Sequence, residues 1–177
     1  MIQTDMQQEL GRAKNALQDY LIHKLLIPKV YLDADWNGTP VDVLAIDRAG
    51  VGDVHAVKMV PLEPGINIRA AFVLFASPSL SPVEEFRSLP SHYRYVAVVG
   101  DDQDWRKFNP ADGIPWNSLA EDGVGRVGIL YVDLSEDDPK LQVRVILKAE
   151  RFRSSKEIVE LADRYVAEHT ANWEVRE

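Results

Sequence analysis

The sequence predicts a single α/β domain with a central mixed sheet flanked by helices, and three observations carry that prediction. Apolar residues near both ends of the chain recur at spacings of three and four, the period of an amphipathic helix. Between these ends lie short β-branched and aromatic runs bounded by turn residues. No Gly-, Ser- or Pro-rich linker, internal repeat or low-complexity tract divides the 177 residues, a length that suits one domain of about 100–200 residues. The order that results is helix, three strands, helix, strand, hairpin, helix.

The first helix is read from Thr4 and Gln7, spaced as a capping box, and from Met6, Leu10, Ala13, Leu17, Tyr20 and Leu21, which form one stripe. After Pro28, VYLDADW predicts a strand, and Asn37-Gly38 marks a turn into PVDVLAI and then VHAVKMV, a meander of three strands. Residues 66–77 are apolar throughout, so their periodicity does not separate strand from helix. Ser81, Pro82 and Glu84 give the N-cap, first-turn proline and acidic third position of a short helix running to about Ser88. YRYVAVVG, residues 93–100, predicts a buried strand. RVGILYVDL and LQVRVILKAERF predict a hairpin around the acidic turn SEDDPK. Ser154 and Glu157 open a last amphipathic helix with Ile158, Leu161, Ala162, Tyr165 and Val166 on its apolar face.

Composition narrows the function. Hydrophobic residues make up 46% of the chain, enough for a core, and the absence of cysteine excludes disulfides, thiolate zinc sites and cysteine nucleophiles. The start MIQTDMQQEL lacks the basic and apolar regions of a signal peptide. No apolar run reaches the roughly 18 residues of a membrane span, so a cytoplasmic protein without membrane contact is expected. A net charge of −8 opposes broad attraction to phosphates, so nucleic-acid binding would need a local basic face. Arg144, Lys148, Arg151, Arg153 and Lys156 form the most basic run, and Arg151, Arg153 and Lys156 are the residues expected to meet phosphates. A charged strand edge that resists unwanted sheet pairing is the competing explanation.

The segment PVDVLAIDRAGVGDVHAVKMV, residues 40–60, holds the chemistry of most interest. With the turn centred on Gly50, positions whose numbers sum to 100 lie opposite, which pairs Leu44 with Ala56, Ile46 with Val54 and Asp42 with Lys58. Asp42, Ala56 and Lys58 should share a face. A cross-strand ion pair, worth roughly 0.2–1 kcal/mol, is the simplest meaning of Asp42 and Lys58.

A helix, then a strand opening Pro40-Val41-Asp42, then a strand carrying Lys58, then helix and strand, resembles the PD-(D/E)xK nuclease superfamily, the restriction-endonuclease-like fold. The resemblance spans about residues 4–100 and leaves the second hairpin and last helix as a C-terminal extension. It implies Asp42 as a metal-holding acid and Lys58 as the residue that positions or activates the attacking water. It also implies a divalent ion, magnesium or manganese, wherever the site is active. The second acid should stand two residues before the lysine, where this chain has Ala56. Glu9 on the first helix is the family-like substitute as a metal ligand, with Asp47 and Asp53 further acids near the turn. One protein carboxylate is too few for an octahedral magnesium site. The expected function is therefore a nuclease-like domain with a degenerate metal site, inactive or weakly active as a phosphodiesterase, that binds nucleic acid weakly. The alternative is a non-enzymatic interaction module, a subunit of a larger assembly or a homo-oligomer.

Other patterns are weaker. Gly123, Gly125 and Gly128 satisfy G-x-G-x-x-G, but a strand follows where a dinucleotide site needs a helix. Asp101, Asp102 and Asp104 miss the calcium-loop spacing, and His23, His55, His92 and His169 lack ligand spacing. His92 is assigned to packing or a turn hydrogen bond. No G-x-S-x-G is present. Trp36, Trp105, Trp116 and Trp173 fall in or beside expected loops and termini.

Overall fold

The computed structural model describes residues 2–47, 52–62, 89–101, 127–152 and 156–174. They form an α/β domain with one six-stranded mixed sheet and two helices, α1 (Ile2–Asp19) and α2 (Lys156–Glu174). The strands are β1 (Lys29–Trp36), β2 (Thr39–Ile46), β3 (Val54–Pro61), β4 (Tyr93–Gly100), β5 (Gly128–Asp133) and β6 (Val143–Leu147), and they lie in sequence order. β1, β2 and β3 form an antiparallel meander, β3, β4 and β5 run parallel, and β6 returns antiparallel to β5. The expected helix at 81–88, the ambiguous stretch 66–77, Trp105 and Trp116 lie outside the described residues.

The turn chemistry acts as expected at Asn37-Gly38. Both residues have positive φ, 53° and 81°, and they join Trp36 to its partner Thr39 in a two-residue hairpin. Asp35 Oδ1 accepts the Gly38 N–H at 2.8 Å. The second hairpin keeps the expected register, with Leu44 opposite Ala56 and Ile46 opposite Val54.

Each helix buries its stripe on one face of the sheet. Ala13, Ala16, Leu17 and Leu21 join Val43, Ala45, Val57, Met59, Ala97, Val99, Leu130 and Val132 in one core. Ile158, Ala162 and Val166 of α2 join Trp36, Leu44, Ile46, Val54 and Ala56 in the other. Two expectations for α1 change. Helical structure already includes Ile2, so Thr4 lies inside the helix instead of capping it, and Met6 is 46% exposed. Trp36 lies beside the Asn37-Gly38 turn, as expected, and closes the core: it is fully buried at the end of β1, where its indole N–H donates to the Pro90 carbonyl at 2.8 Å.

Strict alternation fails at one place that matters for the site. Val30 and Leu32 pack toward α1 but Ala34 and Trp36 toward α2, and Val43 and Ala45 face α1 but Val41 faces α2. Both strands therefore change face around Asp33 and Asp42, which would be partners in the register. Asp33 has φ 51°, a left-handed conformation that reverses the pleat, and its carboxylate pairs with Lys14 of α1.

Gly128 has a packing role rather than a phosphate-binding one. A Cβ there would lie 2.6 Å from the Ala149 backbone nitrogen and 2.7 Å from the Tyr95 ring. The ring covers the β5 backbone where Tyr95 and Gly128 are partners.

Candidate functional site

Asp42 and Lys58 do come together. Lys58 Nζ is 4.0 Å from Asp42 Oδ2, at the end of the hairpin away from its turn. The paired ladder stops at Val43 and Val57, and beyond it Asp42 Oδ2 accepts the Met59 N–H at 2.7 Å. The face change at Asp42 aims its carboxylate along the sheet, where it takes the place of a backbone acceptor. The regular alternation expected to put Asp42 on one face with Ala56 thus does not extend to residue 42.

Ala56 is fully buried, in one cluster with Leu44, Ile46, Val54 and Leu89. Its partner in register on β4 is Arg94, itself buried, with its guanidinium carbon 4.7 Å from the Phe152 ring centre. The position where the nuclease pattern needs a second acid is therefore part of the core beneath α2. Glu9 is exposed on α1, which packs on the α1-side core, whereas Lys58 follows Ala56 on the other side by strand alternation. Among the described residues no three His, Asp or Glu side chains gather as a metal site. Among the described residues the donors at this pair do not fit a magnesium ion: Asp42 is the one carboxylate there, one of its oxygens is already bonded to Met59, and position 56 is a buried methyl.

Of the expected phosphate-binding residues, Arg151 and Lys156 are described, and both are engaged. Arg151 Nη2 and Nε donate to Asp53 at 2.6, 3.1 and 3.3 Å, tying the chain after β6 to the start of β3. The Arg151 hydrogen bonds hold the Asp53 carboxyl below the usual range. Lys156 is exposed and 3.5 Å from Glu160, and Arg153 lies outside the described residues. Asp53 and Lys58 are five residues apart on an extended chain, roughly 16 Å. Arg151, held at Asp53, therefore does not rim the Asp42–Lys58 pair.

Two histidines stand beside this ion pair. His92 bridges β3 and β4: its Nδ1 accepts the Val54 N–H at 2.9 Å, and its own N–H donates to the Val54 carbonyl at 3.0 Å. His92 is buried, in line with the packing expected of it, but its bond to Val54, 38 residues away, joins strands instead of closing a turn, and it requires Nδ1 to be unprotonated. His55 is buried and stacked on Tyr93, centroids 4.6 Å apart, and its Nδ1 has no hydrogen-bond partner among the described residues. Burial pushes the His55 pKa down to about 4, against the partial opposition of Asp53 and Asp47. A histidine in an apolar strand was the only linear signal; its partners lie on β4.

No family model matches the chain, and no curated protein matches it. A solved structure of a protein of unknown function from Silicibacter pomeroyi is similar at 12% identity and TM-score 0.41, covering 81% of this chain and 74% of that one.

Proposed function

We propose that this chain is a non-catalytic interaction domain on a restriction-endonuclease-like scaffold. The observation that carries the reading is the burial of Ala56 beside the Asp42–Lys58 pair. A helix, an antiparallel three-stranded meander and a fourth strand parallel to the third support the scaffold. On this reading Asp42 and Lys58 finish the hairpin end, and no metal ion is held between them. The acidic net charge, with Arg151 committed to Asp53, favours a protein partner over nucleic acid.

The test is incubation with single- and double-stranded DNA and RNA in magnesium and in manganese, for the parent and for Asp42→Ala. No cleavage above background is expected from either. Cleavage by the parent that disappears in Asp42→Ala would overturn the reading. Retention of any of these nucleic acids at physiological salt would move the partner class to nucleic acid.

A further inference from the structure

The end of α1 carries a feature that the fold does not use. The helix finishes in a π-helical turn, Tyr20–Lys24, in which the Leu25 N–H donates to the Tyr20 carbonyl at 3.2 Å. The Ile27 N–H then donates back to the Leu21 carbonyl at 3.0 Å, with Ile27 and Leu21 both buried, as in a Schellman-type helix stop. The residue between, Leu26, is left-handed at φ 58° and 76% exposed. That is the place where glycine is ordinarily found. A leucine there strains its backbone and leaves most of its side chain in solvent. Leu25 is exposed beside it, as are His23, Lys24 and Pro28, and no acid occurs between Asp19 and Asp33. The result is a basic and apolar knob on an acidic chain.

Its complement is the β5–β6 turn. Asp137, Asp138, Lys140 and Leu141 are exposed there, the two aspartates outweighing the one lysine, and the turn is braced from within. Asp138 Oδ1 accepts the Lys140 N–H at 3.0 Å, the Leu141 N–H donates to the Asp138 carbonyl at 2.9 Å, and the Gln142 side chain donates to the Glu136 carbonyl at 2.8 Å. Such a preformed surface loses little freedom on docking. The knob leads into Lys29, which pairs with Ile46 near the starts of β3 and β4, while the acidic turn follows the end of β5, which runs parallel to them. The two surfaces thus lie at opposite ends of the strands and cannot meet within one copy.

We infer that the Leu25–Leu26 knob docks on the acidic β5–β6 turn of a second copy, head to tail. This deepens the interaction-domain reading and rests on it. A heterologous contact of this kind closes into a ring or extends as a chain, depending on the rotation between copies.

Sedimentation velocity on the parent from about 10 to about 500 µM should show association that weakens with added salt. Leu26→Gly separates the role of the knob from that of the helix stop. It should raise the melting temperature by relieving the backbone yet weaken association about tenfold. Lys24→Glu with Lys29→Glu, and separately Asp137→Lys with Asp138→Lys, should each weaken self-association to a similar degree. Mixing the two double variants should restore it, with copies alternating. A parent that stays monomeric, an unchanged affinity in folded Leu26→Gly, or no restoration on mixing would overturn the pairing. So would a knob-dependent binding to phosphatidylserine vesicles by a chain that does not self-associate. Nucleic-acid cleavage dependent on Asp42 would overturn the interaction-domain reading instead, so the two failures are distinct.

Discussion

At Ala56 the methyl group shares an apolar cluster with Leu44, Ile46, Val54 and Leu89, so a glutamate there would bring both a charge and excess volume into the core. Arg94, its neighbour in register on β4, would offset part of the charge but none of the volume. Ala56→Glu should therefore destabilise the domain by about 2–4 kcal/mol in urea unfolding. Calorimetric titration with magnesium should show no gain in affinity that depends on Asp42. A stable variant with Asp42-dependent metal binding would mean that position 56 opens toward the pair. The expectation that this methyl faces the space between Asp42 and Lys58 came from carrying strand alternation through residue 42. The left-handed Asp33 opposite breaks it there.

Between elements, two contacts decide how the second half of the chain is held. Gly128 admits the Tyr95 ring and the Ala149 backbone to contact distance, and neither can retreat, since one is a rigid ring and the other is main chain. Gly128→Ala should cost about 2–3 kcal/mol of stability, read as a lower denaturation midpoint with an unchanged slope. A neutral result would show that β5 and the chain after β6 shift freely. The second contact is Arg151 with Asp53, which joins segments 98 residues apart. Charge reversal at Arg151 would break it, and so cannot by itself report on phosphate binding. The amphipathic patterns of both helices were legible because core contacts recur every third or fourth residue. The ion pair was not, because nothing in the local sequence selects a partner so distant.

At the scale of the whole molecule, the buried histidines contribute to the response to acid. His55 has a folded pKa near 4, below its unfolded value of about 6.5, so the unfolded chain takes up the proton first as pH falls. Its contribution is complete above pH of about 6.5 and is lost between there and the folded value, on the order of 3 kcal/mol. His92, also lowered by burial and bound through Nδ1 to Val54, adds in the same direction. Unfolding free energy should thus fall from pH 7 to pH 4.5, and His55→Phe should flatten the slope. An unchanged slope in that variant would remove His55 as its cause.

Local chemistry determined much of this protein in advance: the two helix stripes, the Asn37-Gly38 turn, the register of Leu44 with Ala56, and the buried run Tyr93–Gly100. Each depends on residues close in the chain, where side-chain period and turn geometry act directly. The nuclease-like spacing of Asp42, Ala56 and Lys58 was legible too, but its meaning was not. Whether position 56 faces a site or a core depends on where α2, 100 residues later, is packed. Whether Arg151 meets a phosphate or Asp53 depends on the sheet that brings β3 and the chain after β6 together. Those choices rest on contacts between distant segments, whose free energy exists only once the chain has folded.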